Sequence, residues 1–316
     1  MEKLKHILES QQFSRELLEN ELFPLAKKME KVVKERGLWP FLKYFFEKRV
    51  LAGKIVVIFF DEESTRTRVS FEIATTRLGG KFFTSIGKFS SRAKGETIED
   101  TARVILGYQP DAIILRTAEE GMVKKISEFS DIPIINAGDG MGQHPTQTLL
   151  DLYTIQERLG RISGTCIAMA GDLNRGRTAR SLSYLYAKFP DVKIYFVSPE
   201  AARMRQDIKD YLTEHSVEFE EVYDLREVAS KVDIIYSTRI QRERGGDVLL
   251  NYGPPSFWKV SQEVLDLMKK DAIIMHPLPH LEEISPEVDN DPRAVYFRQA
   301  ENGLYIRMAL LKMILR

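Results

Sequence analysis

The chain has 316 residues, enough at ~100 to 200 residues per domain for two domains with a core each. Lys plus Arg number 46 and Asp plus Glu also 46, so the net charge is zero and the basic excess of a general nucleic-acid binder is missing. The single cysteine, Cys166, excludes an intrachain disulfide framework and a zinc site of several thiolates, and favours a reducing cytoplasm. Met1-Glu2-Lys3-Leu4-Lys5-His6 opens no long apolar run, and no window approaches the ~18 consecutive apolar residues of a membrane helix, so a soluble protein without a leader is expected.

Up to about Lys48 apolar residues recur at helical spacing, as in Leu17, Leu18, Leu22, Leu25 and Ala26, then Val32 and Val33, which predicts helices. From Lys54 short apolar runs alternate with amphipathic stretches, the pattern of strands buried on both faces of a parallel sheet. The runs are Ile55 to Phe60, Ala112 to Leu115, Ile132 to Ile135, Cys166 to Ala170, Ile194 to Val197, Asp233 to Tyr236 and Ala272 to Met275. This is an α/β pattern. A helix from near His144 to about Leu159 bridges two strand series, and a last apolar helix, Leu304 to Leu315, could pack on either domain.

Open α/β sheets bind ligands beyond the carboxyl ends of their strands. After Phe60 stands Ser64-Thr65-Arg66-Thr67-Arg68, which reads equally as a phosphate cradle at a helix N-terminus or as a capped, salt-bridged surface helix. Arg116 follows Leu115. The glycines of Gly138-Asp139-Gly140-Met141-Gly142 allow close backbone approach to a ligand, with His144 at the mouth of the next helix. In the second half Gly171-Asp172 leads to Arg177, Tyr236 leads to Arg239, and Met275 to His276-Pro277-Leu278-Pro279. Four strand ends carrying Arg66, Arg116, Arg177 and Arg239 in an uncharged chain imply a small polyanionic ligand between two domains, phosphate at one end and carboxylates at the other. His6, His144, His215, His276 and His280 form no metal-ligand spacing, so no metal and no cofactor are expected. A nicotinamide-dependent oxidoreductase is disfavoured because Gln143 stands where the glycine fingerprint needs Gly or Ala.

In order, Ser64-Thr65-Arg66-Thr67-Arg68 with Ser70-Phe71-Glu72, Lys94-Gly95-Glu96-Thr97, Arg116, His144-Pro145-Thr146-Gln147, Gly171-Asp172 with Arg177-Thr178, Thr238-Arg239-Ile240-Gln241 and His276-Pro277-Leu278-Pro279 resemble the motifs of the aspartate/ornithine carbamoyltransferase family. Tyr296-Phe297, Gln299-Ala300, Asn302-Gly303 and Arg307 resemble its C-terminal signature, so the likeness spans nearly the whole chain. The ornithine branch carries Cys where this chain has Thr146 and Pro277, which places the likeness nearer the aspartate branch.

The resemblance implies two doubly wound parallel-sheet domains joined by helices, with the C-terminal helix packing back on the first. Residues 1–146 plus 298–316 would bind carbamoyl phosphate and residues 147–297 aspartate. It implies a phosphate pocket of Ser64, Thr65, Arg66, Thr67 and Arg116, with Thr67, Arg116 and His144 polarising the carbonyl oxygen. Gln147 and the backbone at Pro277 and Leu278 would hold the carbamoyl nitrogen, while Arg177, Arg239 and Gln241, together with Leu278 and Lys94, would hold aspartate. Arg66, Thr67, Lys94, Arg116 and His144 would be catalytic. Glu62 would pair with Arg177 and Arg244 as the domains close. Ser90 and Lys94 would reach a neighbouring subunit's site, which implies a homotrimer, and some members bind a regulatory chain. The implied reaction moves the carbamoyl group of carbamoyl phosphate to the amine of L-aspartate, a step of pyrimidine biosynthesis. The alternatives are a relative using another amine and a catalytically weak binding or scaffold homologue. Four departures stand out: His280 where the family usually has Arg, an unlike 244–255 loop, Glu63 beside the phosphate motif, and a somewhat long region before Lys54.

Overall fold

Six consecutive β-branched or aromatic residues, Ile55-Val56-Val57-Ile58-Phe59-Phe60, form the strand β1 (Ile55–Phe60), whose last three side chains are all buried. In the computed structural model, which describes residues 4–241, 245 and 255–316, β1 pairs in parallel with β2 (Lys81–Ile86) on one side and β3 (Ala112–Thr117) on the other. β4 (Ile134–Asp139) completes a four-stranded sheet of order β2-β1-β3-β4. Phe59, Ile113, Leu115 and Ile134 meet Ile98, Ala102 and Ile105 of the helix Ile98–Gly107 in one core cluster. Burial of such a side chain stabilises by roughly 1.5–3 kcal/mol. Ile7 exchanges backbone hydrogen bonds with Ile134 and Asn136 and so covers the outer edge of β4.

The second sheet is also wholly parallel: β5 (Cys166–Ala170), β6 (Lys193–Val197), β7 (Glu218–Val222), β8 (Ile234–Ser237) and β9 (Ile273–Met275), in the order β7-β6-β5-β8-β9. Its core joins Ala168, Ala170, Ile235 and Ile274 to Trp258, Val264 and Tyr296. The chain divides into two compact units, Met1–Thr146 with Asn302–Arg316, and Gln147–Glu301. The boundary falls inside the helix Pro145–Leu159, and most of the last helix, Tyr296–Leu315, belongs to the first unit.

Two strands escape the reading from apolar runs. β2 has three exposed and three half-buried residues, and in β7 none is fully buried. Both lie at sheet edges, where the run of apolar residues that marks an interior parallel strand is not required. Among the described residues no helix is long and apolar enough to cross a membrane.

Candidate active site

In the first unit β1 and β3 are neighbours while β2 lies on the far side of β1, so strand order reverses at their carboxyl ends, where open sheets bind ligands. Arg116 stands in register with Phe60, and its carbonyl accepts from the Asp61 amide at 2.9 Å. Its guanidinium donates to the Ala137 carbonyl at 3.2 Å and lies 2.9 Å from the Glu62 carboxylate. The helix Arg66–Arg77 starts directly beyond β1 with Thr65 at its N-cap. The side chain of Thr65 makes no capping bond, contrary to the capping expected from its residue type. Thr67 is buried, Ser64 half-buried, and Thr65 and Arg66 are exposed. His144 is buried immediately before Pro145, the first residue of the helix Pro145–Leu159.

Ser90 and Lys94 sit on a turn that is tied back to β1. Arg92 on that turn donates from Nε to Asp61 at 3.0 Å, and the Asp61 hydrogen bond raises the guanidinium above its ordinary value. Gly87 lies so close that a Cβ there would stand 2.4 Å from the Asp61 carboxylate. Ser90 is half-buried and Lys94 exposed.

At the glycine-rich turn the close approach is made by the chain itself. A Cβ on Gly140 would meet the Ala118 carbonyl at 2.7 Å and the Glu120 amide at 2.8 Å, so the backbone it admits is the chain's own. Gln143 is likewise occupied by the N-terminal segment, accepting from the Ser10 amide at 2.7 Å and donating to Gln11 at 2.7 Å.

In the second unit the reversal falls between β5 and β8. Gly171 follows β5 with φ 121, and a Cβ there would stand 2.1 Å from the Thr238 carbonyl oxygen. Thr238 donates to the Ala170 carbonyl from its amide at 2.8 Å and from its hydroxyl at 3.0 Å. The Asp172 carboxylate accepts from the Gln241 amide at 3.1 Å and lies 3.5 Å from the Arg175 guanidinium. Burial raises Asp172 above the usual carboxylate range, and its amide and guanidinium partners oppose that rise. These contacts lace the end of β5 to the segment bearing Arg239 and Gln241. The Arg239 guanidinium donates to the Ile240 carbonyl at 3.1 Å, and Gln241 donates to the Arg239 carbonyl at 3.3 Å. Arg177 is buried at the first position of the helix Arg177–Tyr186. Gln147 is buried, while Pro277 and Leu278 are half-buried just beyond β9. Arg244 and nearly all of the 244–255 loop lie outside the described residues.

His280, the departure from the family pattern, lies 3.3 Å from Asp289 and edge-on to Tyr296, with ring centroids 5.3 Å apart. Among the described residues no group of three or more His, Cys, Asp or Glu side chains is placed to hold a metal. Sequence reading assigned no role to Asp61 and Arg92, to Asp172, or to the buried Asp151. Asp151 did carry a signal, a carboxylate within Leu149-Leu150-Asp151-Leu152, because a buried charge demands partners.

Two family models match the chain in sequence: the carbamoyl-phosphate-binding domain of aspartate/ornithine carbamoyltransferase over residues 5–157, and its Asp/Orn-binding domain over residues 163–314. The chain belongs to the aspartate/ornithine carbamoyltransferase family. It is 52% identical to the chloroplastic aspartate carbamoyltransferase of Arabidopsis thaliana, across 99% of this chain and 78% of the relative. It is 44% identical to the aspartate carbamoyltransferase catalytic subunit of Methanothrix thermoacetophila, across 100% of this chain and 99% of the relative. The aspartate transcarbamoylase of Trypanosoma cruzi in complex with N-(phosphonacetyl)-L-aspartic acid superposes with a TM-score of 0.90 at 35% identity, covering 99% and 96% of the two chains. The catalytic subunit from Methanocaldococcus jannaschii gives 0.86 at 43% identity, covering 98% of each.

Proposed function

We propose that this protein transfers the carbamoyl group of carbamoyl phosphate to the amine of L-aspartate, yielding N-carbamoyl-L-aspartate and phosphate. The observation that carries the reading is the pair of cationic strand-order reversals: Arg116 and the helix opening at Arg66 in one unit, Arg177 and Arg239 in the other. The relatives support it, since those named above are aspartate rather than ornithine enzymes.

In this reading residues 1–146 plus 298–316 take carbamoyl phosphate and residues 147–297 take aspartate. Ser64, Thr65, Arg66, Thr67 and Arg116 receive the phosphate through hydroxyls, helix amides and guanidinium forks. Thr67, Arg116 and His144 donate to the carbonyl oxygen, where negative charge grows as the amine attacks; removing one such donor typically costs about 10²–10³ in kcat. Gln147 and the carbonyls of Pro277 and Leu278 accept from the carbamoyl nitrogen. Arg177, Arg239 and Gln241 clamp the two aspartate carboxylates, and orientation replaces covalent catalysis. The N–C bond forms, the C–O bond to phosphate breaks, and the amine proton leaves on a phosphate oxygen, so the mechanism uses no dedicated protein base. Glu62 pairs with Arg177 and Arg244 at closure. Ser90 and Lys94 serve a neighbouring subunit in a homotrimer, and a regulatory chain is a candidate further partner. A cytoplasmic location is part of the proposal and rests on the single Cys166; the plant relative is named chloroplastic.

The test is ureido product formed from carbamoyl phosphate with aspartate, ornithine and other amino acids in parallel. Aspartate should be the best acceptor. Arg239→Ala should raise the aspartate KM by roughly 10- to 100-fold, the worth of a charge-assisted pair, with carbamoyl phosphate little affected, and Arg66→Ala should do the reverse. Good turnover of another amine with none of aspartate would overturn the assignment.

A further inference from the structure

The Asp151 side chain is fully buried in the second unit and receives three donors: Gln147 Nε2 at 2.9 Å, Gln299 Nε2 at 2.6 Å and the Tyr236 hydroxyl at 2.9 Å. The chain of hydrogen bonds continues from the other end of Gln299. Its Oε1 accepts from the His276 amide at 2.9 Å, and His276 Nδ1 accepts from the Leu278 amide at 2.8 Å. His276 Nε2 then faces Glu283 Oε1 at 2.9 Å, and that oxygen also accepts from the Leu281 amide at 3.1 Å. His276, Gln299 and Glu283 are all buried.

Each link dictates the direction of the next. An ionised carboxylate has acceptors only, so Gln147 must turn its NH2 group to Asp151, which points its carbonyl oxygen the other way. Gln299 is held in the same sense, NH2 to Asp151 and oxygen to the His276 backbone. Because His276 Nδ1 receives the Leu278 N–H it carries no proton, and Nε2–H is the side that donates to Glu283. The Leu278 backbone, at φ 54 in the left-handed region, is anchored through its amide at the end of this line. Reversing any member would set acceptor against acceptor or donor against donor in a buried place.

We infer that Asp151 and Gln299 are positioning residues that fix the hydrogen-bond polarity of the carbamoyl-nitrogen subsite, so that Gln147 and the 277–278 backbone present acceptors and no donor. This rests on the reading above, in which Gln147, Pro277 and Leu278 hold that nitrogen. The consequence is selectivity for an acyl phosphate that ends in an NH2 group. Acetyl phosphate, with a methyl group in its place, offers these acceptors nothing, and inorganic phosphate has no carbamoyl group to offer them.

Thermal-shift titration of the whole chain with carbamoyl phosphate, acetyl phosphate and inorganic phosphate tests the inference, because the stabilisation reports affinity without turnover. The wild type should favour carbamoyl over acetyl phosphate. Asp151→Asn, which adds a donor and lets Gln147 turn around, should shrink that preference at least tenfold while the phosphate constant stays within twofold. Gln299→Met, of similar shape and without its polar end, should do the same, and it carries the test if Asp151→Asn fails to fold. An unchanged preference in a folded variant, or equal loss of all three ligands, would overturn the inference. Absence of aspartate-dependent turnover in the wild type would instead overturn the proposed reaction.

Discussion

The Arg116 guanidinium lies 2.9 Å from the Glu62 carboxylate, within the same unit and at the same reversal of strand order. A carboxylate in that position competes with any phosphate for the arginine. Glu62→Gln should therefore bind inorganic phosphate several-fold more tightly, since a partly exposed pair is worth up to about 1 kcal/mol, a factor of about five. Turnover should fall in the same variant if the carboxylate is needed at closure. Calorimetric phosphate titration of both proteins checks the first half, and equal constants would show that Glu62 does not compete.

Gly171 has no room for a side chain. Its φ of 121 suits glycine, and a Cβ would stand 2.1 Å from the Thr238 carbonyl oxygen. Gly171→Ala should cost roughly 2–4 kcal/mol, from an unfavourable backbone conformation plus displacement of the 238–241 segment. The aspartate KM should rise more than the carbamoyl phosphate KM. Urea unfolding with steady-state kinetics on the same preparation measures both effects.

Burial pushes the Glu283 carboxyl up, but the hydrogen bond from His276 and two backbone amides outweigh it, and the group sits below its ordinary value. A depressed carboxyl contributes stability that is present above its unfolded pKa, about 4.3, and lost as pH falls through the lower folded value. The wild type should accordingly lose more stability than Glu283→Gln between pH 5 and strongly acid solution. Melting temperatures of the two proteins across that range give the comparison; parallel curves would count against the coupling.

Cys166 should be a slow thiol. Burial raises it to about 11, and the nearby Asp233 adds to the rise. Since the thiolate is the nucleophile, alkylation of the native protein at pH 8 should lag well behind the unfolded chain and accelerate about tenfold per pH unit toward pH 10. Mass spectrometry of iodoacetamide-treated samples follows it, and fast labelling at pH 8 would contradict the burial argument.

Strands β1 and β5 were legible end to end because two buried faces demand an unbroken apolar run. β7, with Glu218, Glu220 and Glu221 on a sheet edge, has no such demand and left no comparable trace. The cations at the strand ends could be read because position along the chain and position in the sheet coincide there. Their supports could not. Asp61 meets Arg92 across 31 residues and Asp151 meets Gln299 across 148, pairings that only the folded topology creates. Gly140 marked a close approach, and the neighbour it has is the chain's own backbone, since a glycine signals crowding without naming the neighbour.

The unit that begins the chain also ends it. Gln147–Glu301 is one uninterrupted stretch, whereas the other unit must recover Asn302–Arg316, with Arg307 stacked over Phe71, Lys312 paired to Glu47, and Ile306, Met308 and Leu310 buried. The second unit's stretch is therefore translated in full before the last segment of the first. Translation order and completion order are inverted: the unit begun first is the one that waits for Asn302–Arg316.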